Sequence, residues 1–441
     1  MLRRVMTVIA PLRPLRYAVA NLATVVAPPY DVISAADRAE LVARDPHNVA
    51  RLILPDGEGD TRYANAAALL AAWRAEGVLV RDETPSFYRY DQTFAPPGGG
   101  AKRRRRGLLA LVRTAPYADR VVLPHERTLA GPKEDRLKLF RATRTNLSPG
   151  FMLYRDPARA IDAAIATGVP FAAFRTPDGV DHELARIAEP DAVRAIVDHM
   201  AKGSLLIADG HHRYETALRY AGETDAALAA AGTPAGPRAE HRFFMAFLCN
   251  GDDPDLVVFP THRFVHSLAG FSFGEFVQRA ASLFRVTPAS ADPASLVAEL
   301  RDLGRSGTAF AAVAPGGRAV LLALRSDVDL AAHPTLGARP AVVRRTDVAV
   351  LHGGVLEHLL GISLEAQAAK TNLSYLQDPA DGVRRLETGE GQVLFVMNAT
   401  PVAQVREVAE AGEVMPQKST YFYPKVLTGL AIHTLEPDRE V

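Results

Sequence analysis

A four-residue apolar run, Leu205-Leu206-Ile207-Ala208, stops at Asp209-Gly210, and from Tyr214 onward Ala217, Leu218 and Ala221 follow at helical spacing. A short buried strand must therefore turn into a helix within a few residues, so sheet and helix share this part of the chain. Asp209 is placed to act as N-cap, its carboxylate accepting from backbone N–H groups of the first turn. Gly210 permits a sharp turn and lets a ligand approach the backbone closely. His211, His212 and Arg213 then stand at the positive end of the helix dipole, where cations are unfavourable unless an anion neutralises them. That pattern predicts a phosphate site. An ordinary Asp209–Arg213 i,i+4 pair beside two surface histidines is the plainer reading. The crowding of polar side chains into one strand-to-helix corner favours a ligand.

Further along the sequence, other segments carry charged groups with no local partner. The double proline of Ala27-Pro28-Pro29-Tyr30-Asp31 forbids a helix and delivers Tyr30 and Asp31 from an extended loop. Ser34 is expected to cap a helix through Leu41, Arg51–Pro55 to form a strand, and Thr61–Gly77 a helix with Trp73 in the core. Ser86–Phe94 and Arg105–Arg113 alternate like a hairpin, with the basic run Lys102–Arg106 expected as a solvated tip beside residues 95–100. His125-Glu126-Arg127 leaves a strand, and Gly131-Pro132 opens a helix whose first turn carries Lys133 and Arg136, again the wrong sign for the dipole unless they face an anion. In Leu256–Val265, His262 and Arg263 point to opposite faces of a strand, so one of them at most faces the site. Phe271–Leu324 reads helix, helix, strand, strand, and Asp347–Leu360 reads as a helix. Near the end, two prolines bracket Gln417-Lys418-Ser419-Thr420 and Tyr421-Phe422-Tyr423, followed by Lys425. No Gly-x-x-x-x-Gly precedes this Lys-Ser-Thr, so it is not a Walker A loop, and the flanking lysines suit a phosphate clamp.

Composition narrows the function. With 51 Lys plus Arg against 50 Asp plus Glu, no long-range field favours nucleic acid or anionic membrane. One cysteine, Cys249, leaves no internal disulfide and no Cys-based zinc cluster, which suits a reducing cytoplasm. Pro11 and Pro14 interrupt the apolar start, and no secretory or membrane-spanning run is expected. The 441 residues suggest several domains, with boundaries placed at 1–115, 116–270, 271–345 and 346–441.

The corner resembles the Asp-Gly-His-His-Arg signature of the ParB/sulfiredoxin-like superfamily. The ordered set Ala27–Ile33, His125–Thr128 with Lys133 and Asp135-Arg136-Leu137, Asp209–Arg213, Thr261-His262-Arg263 and Met415–Lys425 resembles the DUF1015 family from end to end. The family name assigns no activity. The stretch 271–345, which holds no cluster of reactive residues, reads from its own pattern as an accessory α/β module. The superfamily resemblance implies an α+β fold of mixed sheets with a ParB/sulfiredoxin-like core. Its free serine kinase branch implies a nucleotide-using enzyme, with Glu126 or Asp31 standing for the catalytic carboxylate.

The expected activity is therefore phosphoryl transfer from ATP or ADP to a small hydroxylated metabolite, free L-serine first. Arg213, Lys418 and Lys425 would carry phosphate charge, with Lys133, Arg136, Ser419 and Thr420 alongside and the Gly210 and His211 N–H groups at the helix end. His212 would bond a phosphate oxygen, Glu126 act as base, and Asp209 hold Mg²⁺ or cap the helix. Tyr30, Asp31, His125 and Arg263 would face the substrate. Two rivals are a metal-dependent phosphatase built on Asp209, His211, His212, His125 and His262, and a non-catalytic nucleotide-binding module. The partner expected is a small molecule, with neither nucleic acid nor membrane, and the oligomeric state is open, a homodimer included.

Overall fold

Alternating apolar strands and amphipathic helices produce an α+β fold in the computed structural model, which describes residues 6–96, 100–126, 128 and 130–441, with the backbone alone at 130 and 132. Arg127 and the 97–99 part of the expected hairpin tip lie outside the described residues. The chain divides into two compact units. The first comprises Met1–Pro124, Thr128–Val257 and Pro424–Val441, and the second His125–Arg127 and Val258–Tyr423.

In the first unit a mixed sheet runs in the order Val122–Leu123, Leu205–Asp209, Gly150–Tyr154, Phe243–Asn250, Arg103–Arg113, Phe87–Phe94, Asp181–Ile187 and Val169–Arg175, with Ile9–Ala10 also pairing with Arg103–Arg113. Leu205–Asp209 lies parallel to Val122–Leu123 and antiparallel to Gly150–Tyr154, so it is paired on both sides. Its residues Leu205–Ala208 are buried, as an apolar run with no alternation requires. The helix His211–Ala230 packs back on the sheet through Tyr214, Ala217 and Tyr220, which join Leu108, Met152, Ile207 and Phe244 in the core. A second core in this unit gathers Leu41, Tyr63, Leu70 and Trp73. Ser34 does cap its helix, and its side chain and that of Asp37 form a reciprocal capping box.

Two readings of this unit are corrected. Residues Ala50–Ile53 are a short helix rather than a strand, because its turn buries Ala50, Leu52 and Ile53 together against the Trp73 core. The basic run is a solvated tip only in part: Lys102, Arg103 and Arg104 are exposed as expected, but residues 103–106 are strand. Arg104 and Arg106 both bond Asp91, and Arg105 is buried.

The second unit holds a six-stranded sheet, ordered Phe284–Ala289, Arg318–Leu324, Ala309–Ala314, Val393–Met397, His262–Val265 and Leu373–Leu376. Its core packs Phe264, Leu296, Leu300, Val313, Leu394 and Val396. Segments before and after residue 345 thus share one sheet. The stretch 271–324 reads helix, strand, helix, strand, strand. Phe284–Ala289 is an edge strand, where Pro288 is tolerated because the outer side of the ladder needs no donor. Asp347–Ala349 is α-helical but Val350–Leu359 widens to a π-helix, a form that a sequence period of 3.6 does not announce. No helix among the described residues is long and apolar enough to cross a membrane.

Candidate functional site

The candidate residues fall into two groups, one in each unit. In the first unit the register of Leu205–Asp209 against Gly150–Tyr154 shifts between Ile207 and Asp209, so Ala208 has no partner of its own. An extra residue of this kind bends the strand and re-aims the side chain that follows it, here Asp209. Gly210 then takes φ 91° and ψ 30°, the left-handed region that glycine enters without strain. A Cβ there would lie 2.9 Å from Arg213 Cζ and Nε, so the position is closed to a side chain on two counts. The N-cap is Gly210, not Asp209. The strand extends through Asp209, and the left-handed turn falls one residue later than the sequence suggested. The helix that follows is twenty residues long, has no side-chain cap from Gly210 and carries no acidic residue in its first turn.

The Asp209 carboxylate meets two cations. Lys425 Nζ donates to Oδ2 at 2.8 Å, and Arg213 Nη2 approaches Oδ1 at 3.5 Å. Arg213 is buried and folds back over Gly210, donating through Nη1 to the Pro149 carbonyl. His211 is buried and His212 half-buried, with the His212 carbonyl accepting from Thr216 Oγ1 at 2.7 Å. The cations expected to need a bound anion find carboxylates of the protein instead, one from a distant helix and one from the adjacent residue. Lys133 Nζ donates to Glu215 Oε2 at 2.9 Å and to Thr128 Oγ1 at 3.1 Å. Arg136 donates to Asp135 Oδ2 at 2.8 Å and to the Ile53 carbonyl at 2.7 Å. Its guanidinium lies 4.1 Å from the Tyr30 ring centroid. Burial raises the Tyr30 phenol, against the pull of Arg136. Burial pushes the Asp135 carboxyl up, but Arg136, Tyr63 and Arg62 outweigh it and hold the group below the usual carboxylate range. Tyr30, Arg136, Ser148 and Arg213 border a cavity of about 20 Å³, room for a single water. Asp31 is exposed.

Arg105 is the residue the sequence reading missed. It shares the strand Arg103–Arg113, and the period of two puts it on one face with Leu109 and Leu111. That parity was the available signal. Its guanidinium is 1% exposed, lies 4.7 Å from the Phe151 ring centroid and 5.4 Å from that of Phe247, and donates to Gln92 Oε1 and the Pro424 carbonyl.

In the second unit Glu126 accepts backbone N–H groups from Lys418 at 3.3 Å and Ser419 at 3.0 Å. Lys418 stands at φ 58°, a left-handed conformation that is costly for a residue with a Cβ, and its side chain is exposed. Arg263 Nη2 donates to the Lys418 carbonyl at 3.1 Å, so the Lys418 peptide is held from both ends. Arg263 Nε also donates to His352 Nε2 at 3.2 Å, and His352 Nδ1 bonds Gln367 Oε1 at 2.7 Å. Burial lowers His352 to about 3, with Arg263 adding to the effect, so the ring is neutral and Nδ1 carries its hydrogen. Arg263 itself falls to about 10 through burial, opposed by Tyr375 and Glu126. His125 Nε2 bonds Thr420 Oγ1 at 3.0 Å. His262 and Arg263 are both buried, and they take different partners. His262 Nδ1 accepts from the Met397 N–H at 3.1 Å, while Arg263 reaches Lys418.

A metal fits this donor set poorly. Among the described residues no group of three or more His, Cys, Asp and Glu side chains is placed to hold an ion, and Asp209 is already neutralised by Lys425 and Arg213.

Comparison with known proteins adds the family. The model for DUF1015, a protein of unknown function, matches residues 9–349. No curated protein matches. Among solved structures, a conserved hypothetical protein from Pyrococcus furiosus is 15% identical over 73% of this chain and 92% of its own, with a TM-score of 0.33. A free serine kinase in complex with AMP is 14% identical over 72% of this chain and 89% of its own, with a TM-score of 0.35. SbnI with a C-terminal truncation, from Staphylococcus aureus, is 11% identical over 73% and 85%, with a TM-score of 0.34. Scores of this size carry no argument about activity.

Proposed function

The chain belongs to the DUF1015 family, whose description leaves its activity open, and from that starting point we propose that it binds a nucleotide and transfers its phosphoryl group to a small hydroxylated metabolite. Free L-serine is the substrate to test first, and a cytoplasmic location belongs to the same proposal. The observation that carries the reading is the Gly210 corner. It presents the start of a twenty-residue helix with no side-chain cap and no acidic first turn, beside a lysine ammonium brought in from the C-terminal segment. Backbone N–H groups at a helix start and an adjacent ammonium are the donors that phosphate oxygens require.

In this reading the first turn at His211 and His212 orients the phosphate, and Lys425 supplies charge against the oxygens where negative charge collects during transfer. Arg213 acts through Asp209. Its bonds to that carboxylate and to Pro149 fix the corner, so it is a positioning residue more than a phosphate ligand. Tyr30 and Arg136, stacked together, are assigned to the substrate side. Transfer forms a bond from the substrate oxygen to phosphorus, breaks the bond to the departing nucleotide phosphate, and releases the hydroxyl proton to a base. Mutation of Glu126 and of Asp31, the two carboxylates the sequence offers, identifies that base; in its own unit Glu126 accepts from the Lys418 and Ser419 N–H groups.

A second reading, nucleotide binding without turnover, draws on the Asp209 carboxylate being spent on Lys425 and Arg213. The phosphatase alternative gains no support from the donor groups described. Nucleotide consumption measured with and without a panel of amino acids tests the proposal. Serine-dependent release of ADP or AMP supports transfer, and binding with no consumption supports the second reading.

A further inference from the structure

We propose that Arg105 is a positioning residue for the Lys425–Asp209 pair, fixing the Pro424–Lys425 peptide from inside the sheet and so setting where the Lys425 ammonium stands. Arg105 Nη2 donates to the Pro424 carbonyl at 2.5 Å and to Gln92 Oε1, and Gln92 Nε2 donates to the Lys425 carbonyl at 3.0 Å. Two consecutive carbonyls are thus held by two side chains that also hold each other. From that anchored peptide Lys425 reaches Asp209 at 2.8 Å.

The cost of the arrangement argues for a role beyond packing. A buried guanidinium is expensive, and an apolar side chain of similar volume often serves stability as well or better. The faces of Phe151 and Phe247 recover part of the loss, yet among the described residues Nε and Nη1 have no hydrogen-bond partner. Burial draws Arg105 down to about 10, and the Asp209 charge is among those resisting that fall, so the two groups sense each other across the corner. Asp209 therefore lies in the field of three cations, Lys425, Arg213 and Arg105.

The consequence for nucleotide affinity rests on the function proposed above, whereas the placement of Lys425 does not. Amine-reactive labelling of the full chain, read residue by residue by mass spectrometry, tests the placement directly. The Lys425 side chain is 18% exposed, so it is reachable but slow. Arg105→Met should raise the Lys425 labelling rate about fivefold, the factor for losing one ordinary hydrogen bond. Asp209→Asn, the direct break, sets the upper limit, Lys138 serves as an unaffected reference, and Arg105→Lys should recover part of the protection. A wild-type Lys425 rate in Arg105→Met, where Asp209→Asn is accelerated, overturns the proposal. Should Arg105→Met fail to fold by circular dichroism, Gln92→Leu is read by the same two outcomes. If wild type binds no ADP, the proposed function falls while the labelling result still decides the role of Arg105.

Discussion

Replacing Gly210 by alanine tests how the corner is built. The backbone there sits at φ 91°, where an L-residue costs about 1–2 kcal/mol. The new Cβ would also stand 2.9 Å from Arg213 Cζ and Nε and 3.0 Å from Nη2, well inside contact distance. Arg213 must then move and release the buried Pro149 carbonyl, a further loss of about 1–3 kcal/mol. Gly210→Ala should therefore destabilise the corner by roughly 2–5 kcal/mol. In an Arg213→Ala background the steric part vanishes and about 1–2 kcal/mol should remain. Native-state hydrogen exchange over peptides spanning residues 203–220 reads this locally, without requiring the whole chain to unfold in one step. A change below about 0.5 kcal/mol in the single variant would refute the reasoning, as would an equal cost in both backgrounds.

Glu126→Gln leaves one oxygen where two accept backbone N–H groups, so exchange protection at Ser419 should fall about tenfold, and turnover should vanish if Glu126 is the base. Arg213→Lys cannot span both the Pro149 carbonyl and Asp209, and should lower corner stability by about 1–3 kcal/mol in the same exchange assay; wild-type protection would contradict the assignment. Burial holds His182, His262 and His433 near 4 and His352 near 3, below the ordinary value of 6.5. The unfolded chain binds more protons below 6.5, so the stability these rings contribute is complete above that pH. It is lost as pH falls toward 4, and for His352 toward 3, which urea titrations at stepped pH should follow.

Much of the fold was legible because local patterns carry it. The apolar run before Asp209, the glycine break and the helical spacing from Tyr214 are local signals, and the strand, the turn and the helix stand where they point. The Ser34 capping box and the Phe87–Phe94 hairpin partner are of the same kind. What escaped was non-local. Leu52 and Ile53 suit strand or helix equally, and packing against the Trp73 core decided it. Lys133 looked unpaired because Glu215 comes from another helix, whereas Arg136 is answered by its own neighbour Asp135, which Tyr63 and Arg62 of another helix share. Arg105 looked solvated because charge outweighed parity in judging a run of basic residues. The excess of cation that first suggested phosphate is thus largely answered by the protein's own carboxylates, Lys425 by Asp209 included, and the helix start without a side-chain cap is the part of that argument that stands.

The central claim is that a phosphate-bearing ligand is held at the Gly210 corner with the help of Lys425. Calorimetric titration of ADP, with magnesium present, into wild type and Lys425→Met tests it most directly. Saturable binding to wild type that weakens about tenfold or more in Lys425→Met is the predicted result, the scale of one charge-assisted contact. No heat of binding to wild type, or equal affinity in the two proteins, would contradict it.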